Sequence, residues 1–130
     1  VSCRAGPMTE RAALGAFGER LAAGYLRRHR YEIVAANLGV PPWGEIDIVA
    51  RRDGVLALVE VRTRRGDRFG AAALSITPVK RRRMLHAAAA YLSRFGDEPP
   101  SARIDVVLVQ LDRVGRLLEI RHIENAVEAD

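Results

Sequence analysis

The chain has 130 residues, about one ordinary domain, which excludes two folding units with separate cores. Hydrophobic residues at 48% and charged residues at 28% exclude a disordered chain, and apolar runs such as Val106–Val109 fall far short of the ~20 residues a membrane helix needs. Lysine plus arginine outnumber aspartate plus glutamate by 21 to 16, a net charge of +5 that points to a polyanionic partner.

Residues 1–8 are small, polar and broken by Gly6-Pro7, so a disordered tail is expected. They lack the ~7–15 apolar residues of a secretory signal, and a cytoplasmic protein is expected. Cys3, the one cysteine, cannot close an internal disulfide. A single domain is then expected over 9–126, with 127–130 frayed. Thr9 is a good N-cap, and Leu14, Phe17, Gly18, Leu21 and Tyr25 recur at helical spacing up to Arg27–Arg30, which predicts the first helix. Tyr31 to Asn37 is rich in strand formers. Leu38 to Gly44, with successive prolines between glycines, predicts a loop.

Glu45 to Arg51 and Val55 to Thr63 predict two strands joined at Asp53-Gly54, the strongest short signal for a hairpin. With those two residues at the centre of a type I′ turn, Arg52 faces Val55. That register sets Asp47 opposite Glu60 and Glu45 opposite Arg62 on one face, with Ile46, Ile48, Val59 and Val61 on the other. Arg64 to Ser75 reads as a basic, glycine-containing loop. Thr77-Pro78 then supplies an N-cap and a first-turn proline for a second helix. Its apolar face is read as Leu85, Ala88, Ala89, Leu92 and Phe95, and its end falls near Gly96. Ile104 to Leu111 predicts a central strand covered on both faces. Leu117 to Ile123 predicts a short edge strand, and fraying is expected from Glu124. The order helix, three strands, helix, strand gives an α/β fold with a mixed sheet flanked by helices.

Two directly opposed carboxylates repel, so Asp47 facing Glu60 calls for a neutralising group. A divalent cation is one, because Mg²⁺ binds through one or two carboxylates, waters and phosphate oxygens; Arg62 and nearby arginines in an ion-pair network are another. Lys80, the single lysine, opens the second helix with Arg81, Arg82 and Arg83, where free amides and the helix dipole add to their charge. With Arg62, Arg64, Arg65 and Arg68 this makes either a phosphate-binding rim or a solvated basic face. Aromatics at 5%, with Trp43, Tyr31 and Phe69 as the exposed stackers on offer, favour recognition of a duplex or junction by backbone and shape over stacking along single strands; Trp43 lies near the active face or covers the edge of the core, the second being favoured. Asp105 is expected to pair with a basic residue or to cap amides. His29, His86 and His122 are too scattered to form a zinc pair.

Asp47 followed by Glu60-Val61-Arg62 resembles the PD-(D/E)xK signature of restriction-endonuclease-like nucleases and is similar to that of archaeal Holliday-junction resolvases. Gly18-Glu19, Gly44–Ala50, Val59–Arg64, Phe69-Gly70, Lys80, Arg103–Val107 and His122–Ala126 follow in order. On these motifs the chain is identified as a member of the YraN family of small, mostly uncharacterised bacterial proteins. The resemblance implies a restriction-endonuclease-like core and a metal-dependent endonuclease acting on DNA, including branched or damaged DNA. It assigns Asp47, Glu60 and the Val61 carbonyl to Mg²⁺ or Mn²⁺, and makes Glu19 a further acid acting directly or through water; read from the helix alone, Glu19 is equally a solvated acid pairing with Arg20 or Arg27. Arg62 stands where the signature has lysine. A guanidinium stays protonated and cannot serve as a base, though it can clamp a phosphate. Lys80 offers an ammonium in its place, or is a plain phosphate-binding or solvated lysine. The expected partner is DNA, with no membrane, and a homodimer is compatible with cutting two strands. An inactive nucleic-acid-binding module on the same scaffold, and an interaction protein in DNA or RNA processing, stand as alternatives.

Overall fold

The structure is a computed structural model that describes residues 9–66 and 75–129. The expected tail over 1–8, together with Arg68 and Phe69-Gly70 of the basic loop, lies outside the described residues. Helix α1 spans Glu10–Arg28, and the Thr9 hydroxyl caps it by accepting from the Ala12 amide at 3.0 Å. Three strands follow, β1 (Glu32–Gly39), β2 (Glu45–Arg52) and β3 (Val55–Arg65). Helix α2 (Pro78–Leu92) begins as its sequence predicts, with the Thr77 hydroxyl accepting from the Lys80 amide at 3.1 Å and Pro78 in the first turn. Strands β4 (Ser101–Leu111) and β5 (Leu117–Val127) complete a five-stranded sheet in the order β1-β2-β3-β4-β5. All neighbours are antiparallel except β3 and β4, whose parallel pairing needs the crossover that α2 provides.

Because side chains alternate along a strand, the sheet feeds two cores. Ile48, Ala50, Val59, Val107 and Val109 bury against Ala22 and Leu26 of α1. Val49, Leu56, Leu58, Ile104 and Val106 bury against Met84, Ala87 and Tyr91 of α2. β4 is buried from Ile104 to Leu111, the doubly covered strand that was expected. Gly18 sets the closeness of α1, since a Cβ there would lie 1.8 Å from Thr63 Oγ1 on β3. Among the described residues no helix is long and apolar enough to cross a membrane.

Two local expectations are corrected. The buried face of α2 is Met84, Ala87, Ala88 and Tyr91; Leu85 and Leu92 are only partly buried, Ala89 is exposed and Phe95 is 45% exposed. The small Ala87 and Ala88 make the close contact with the sheet, which leaves the longer leucines at its flanks. Nor does the chain fray at Glu124. β5 runs on to the buried Val127 because Val127 pairs with Ile104 and Asp105 takes the Asn125 amide at 2.9 Å.

Candidate functional site

From Arg52↔Val55 to Ile48↔Val59, β2 and β3 pair in the register the turn dictates, with Asp53 at φ 52° and Gly54 at φ 76° as a type I′ turn requires. Beyond Ile48 the strands part. β2 stays on β1 through Ile46↔Leu38 and Glu45↔Gly39, while β3 stays on β4. At the parting a side chain replaces the backbone ladder: the Val61 N–H donates to Asp47 Oδ2 at 2.8 Å. The expected pairings of Asp47 with Glu60 and of Glu45 with Arg62 therefore do not form as ladder partners. The turning point in β1 is Asn37, at φ 49°, a left-handed conformation that asparagine tolerates. Past it, Leu38 and Ile46 face the α2 core. Ile48, Val59 and Val61 share the α1 side as expected, and Ile46 does not.

Asp47 occupies this seam. It lines a surface cleft with Glu19, Arg20 and Asn37 on the α1 side, whereas Glu60 lines a smaller cavity with Met84 and Ala87 on the α2 side. The shared face expected for the two acids becomes a meeting across the seam. Burial, and then the charge of Glu60, push the Asp47 carboxyl from its ordinary 3.8 up to about 7. The Val61 amide and Lys80 oppose that rise, and Glu19 adds to it. Glu19 is itself raised, by burial first, with its Asn37 hydrogen bond opposing and the charges of Glu45 and Glu60 adding. Lys80 reaches from the first turn of α2 to Glu60, with Nζ 2.6 Å from Oε2.

Glu19, Asp47, Glu60 and Lys80 thus act on one another, although they come from α1, β2, β3 and α2. Among the described residues no three His, Cys, Asp or Glu side chains converge tightly enough to cage an ion unaided. What the seam offers instead is the Asp47 carboxylate on the Val61 backbone where it has left the β2 ladder, with the Glu60 carboxylate near enough for its charge to act on Asp47. That composition fits a hard cation that keeps several waters, and the Asp47 carboxyl is raised there by burial first and by the charge of Glu60 second.

The basic rim is divided. Arg62 donates to the Ser75 carbonyl, and Arg64 to that of Thr63 at 2.9 Å. Arg65 donates to the Arg113 carbonyl at 3.0 Å and lies 3.6 Å from Glu10, and Arg81 donates to the Glu128 carbonyl. These contacts tie down strand and loop ends. Arg82 and Arg83 are exposed on α2. Asn37 was not singled out from the sequence, where its only signal is an asparagine inside a strand. Asp105 has both expected kinds of partner, accepting from Arg103 Nε at 3.0 Å and the Asn125 amide at 2.9 Å, and its third is His122 Nε2 at 2.7 Å. Burial pushes its carboxyl up, but these donors outweigh it and hold the group below the usual range. Trp43 is only partly packed on the core, and its ring stacks on the exposed His86.

Residues 18–109 match the uncharacterised protein family UPF0102. A UPF0102 protein of Symbiobacterium thermophilum is 45% identical over 116 residues, covering 89% of this chain and 97% of the relative. One of Roseiflexus castenholzii is 47% identical over 120 residues, covering 91% and 95%. The matched span carries Gly18-Glu19, Asp47, Glu60–Arg62, Lys80 and Asp105. The chain therefore belongs to the uncharacterised family UPF0102, the YraN family that its motifs resemble.

Proposed function

We propose that the protein is a divalent-metal-dependent nuclease that cleaves DNA phosphodiesters, the activity that the restriction-endonuclease-like order of its motifs implies. The observation that carries this reading is the Asp47 carboxyl, pushed up to about 7 by burial and by Glu60 in a cluster that also holds Glu19. Acid held together in this way costs stability, and such groups gather at functional centres. Asp47, Glu60 and the Val61 carbonyl would hold Mg²⁺ or Mn²⁺, leaving the remaining positions to water and substrate phosphate. Bound there, the cation supplies Lewis acidity and lowers the pKa of a bound water.

The chain's own groups do the rest. The Val61 amide fixes Asp47 Oδ2 and so orients the carboxylate. Glu19, raised and bonded to Asn37, is suited to hold a water beside the cluster. Lys80 brings to Glu60 the ammonium that the signature carries at the Arg62 position, and it stabilises charge developing on the phosphate. Arg82 and Arg83 take flanking phosphates. Cutting both strands would take two copies, and a cytoplasmic location suits a nucleic-acid substrate. The second reading is a binding module without catalysis, favoured by the Lys80–Glu60 pair because an internal ammonium already neutralises one carboxylate. Calorimetric titration of Mn²⁺ into the wild type and an Asp47→Ala/Glu60→Ala variant, alongside cleavage of flapped and four-way DNA, decides between them. Metal binding and cutting that are both lost in the variant support the nuclease. A wild type that takes up no Mn²⁺ with or without DNA, and leaves every DNA intact, ends that reading.

A further inference from the structure

We infer that the exposed face of α2 beside the carboxylates is a platform for an unpaired base of a nucleic-acid strand, with Trp43 and His86 stacking the base and Arg82 and Arg83 holding its phosphates. The inference rests on the reading of the protein as acting on nucleic acid, and it names the substrate as single-stranded or splayed at the site. The Trp43 and His86 rings lie 4.3 Å apart between centroids and only 13° from parallel. Trp43 is seated at the rim of the α2 core while His86 is exposed, so the two-ring stack has a solvent-facing outer member. A nucleobase can extend such a stack, because every base has a π-face and histidine and tryptophan rings both accept one.

The cations stand beside the rings by construction. Arg82, Arg83 and His86 fall at helical neighbour spacing and form one stripe with Val79, which is 72% exposed. Lys80, Met84 and Ala87 lie on the adjoining face toward Glu60 and the core. At Gly44, φ is 90° and a Cβ would lie 2.7 Å from Arg83 Nη1, so the guanidinium rests over bare backbone next to Trp43. Both arms of the platform run into the candidate site. At most about 13 Å of extended chain separates Trp43 from Asp47, and about 9 Å of helix separates His86 from Lys80. Those spans put the rings within one or two nucleotides' reach of the carboxylates, so a strand with its phosphate there would have a neighbouring base to offer His86. In an intact duplex that base is already stacked, so the platform favours single-stranded overhangs, flaps and splayed junction arms. The low aromatic content favours backbone and shape recognition over stacking, and the platform is the alternative to that expectation.

The test is fluorescence anisotropy of a short labelled single strand and of a blunt duplex of the same sequence, without divalent metal, on the wild type, His86→Ala and His86→Phe. His86→Ala is expected to weaken single-strand binding about 5- to 150-fold, the range of one base–aromatic stack, and to leave duplex binding within about twofold. His86→Phe should retain the preference, and emission from Trp43, the single tryptophan, should fall as the single strand binds. The inference is overturned if His86→Ala binds both DNAs as the wild type does, if it loses both equally, or if the wild type binds neither. Cleavage and Mn²⁺ uptake by the same proteins are read separately. A wild type that cuts DNA with no role for His86 keeps the nuclease and loses the platform, whereas His86-dependent binding without metal uptake or cutting does the reverse.

Discussion

Asp47 carries the electrostatic tension of this protein in one side chain. Its carboxyl titrates at about 7 when folded and near 3.8 when ordinary, so the folded state binds the proton more tightly. Its contribution to stability is therefore greatest below about pH 4 and declines as pH rises through about 7. Asp47→Asn keeps an acceptor for the Val61 amide and removes the charge. We expect it to raise the unfolding temperature at pH 8, by about 1–3 kcal/mol of stability, with the gain vanishing near pH 4. Thermal unfolding across that range checks it, and a variant less stable than the wild type at pH 8 contradicts it. Lys80 makes a second test, because Lys80→Met leaves the oxygens of Asp47 and Glu60 in place. Under the nuclease reading Mn²⁺ uptake persists by calorimetry, while cleavage falls by roughly 100-fold or more. Unchanged cleavage would leave Lys80 as a simple ion-pair partner.

Element packing brings Glu19 into the cluster. Gly18 touches Thr63 so closely that an added methyl must push α1 from β3, and Glu19 moves with it. Gly18→Ala is expected to cost about 1–3 kcal/mol in denaturant unfolding, as overpacking does. Gly15 in the same helix has nothing within 4 Å of an added Cβ. Gly15→Ala should therefore be neutral or stabilise by up to about 1 kcal/mol through helix propensity, which makes it the control. On the same α1 face of the sheet, Asp105 joins Arg103 on its own strand to His122 and the Asn125 amide of β5. Asp105→Ala leaves those donors facing a dry interior and should cost about 3–5 kcal/mol. Loss of protection of β5 amides in hydrogen exchange would locate the damage.

At the scale of the whole molecule the net charge of +5 is spent unevenly. Arg62, Arg64, Arg65 and Arg81 bind backbone carbonyls, whereas Arg82 and Arg83 stay exposed beside the site. Nucleic-acid affinity should fall linearly on a logarithmic salt scale. Arg82→Ala/Arg83→Ala is expected to flatten that slope for a single strand by about 1.4, at roughly 0.7 per lost phosphate contact. An unchanged slope would show that those arginines contact no phosphate.

The elements, the hairpin and the kind of sheet were legible in the amino-acid order, because their causes are local. A threonine hydroxyl caps each helix, Asp53-Gly54 sets the register of β2 on β3, and continuous apolar character marks β4. The ordered motifs likewise carried the family. Tertiary structure decided where that register ends, since past Ile48 strand β2 stays with β1 while β3 stays with β4. It also decided that Asp105 meets His122 and that Lys80, across the α2 crossover, meets Glu60. Each depends on burial, twist and non-local approach, and no short window of sequence contains them.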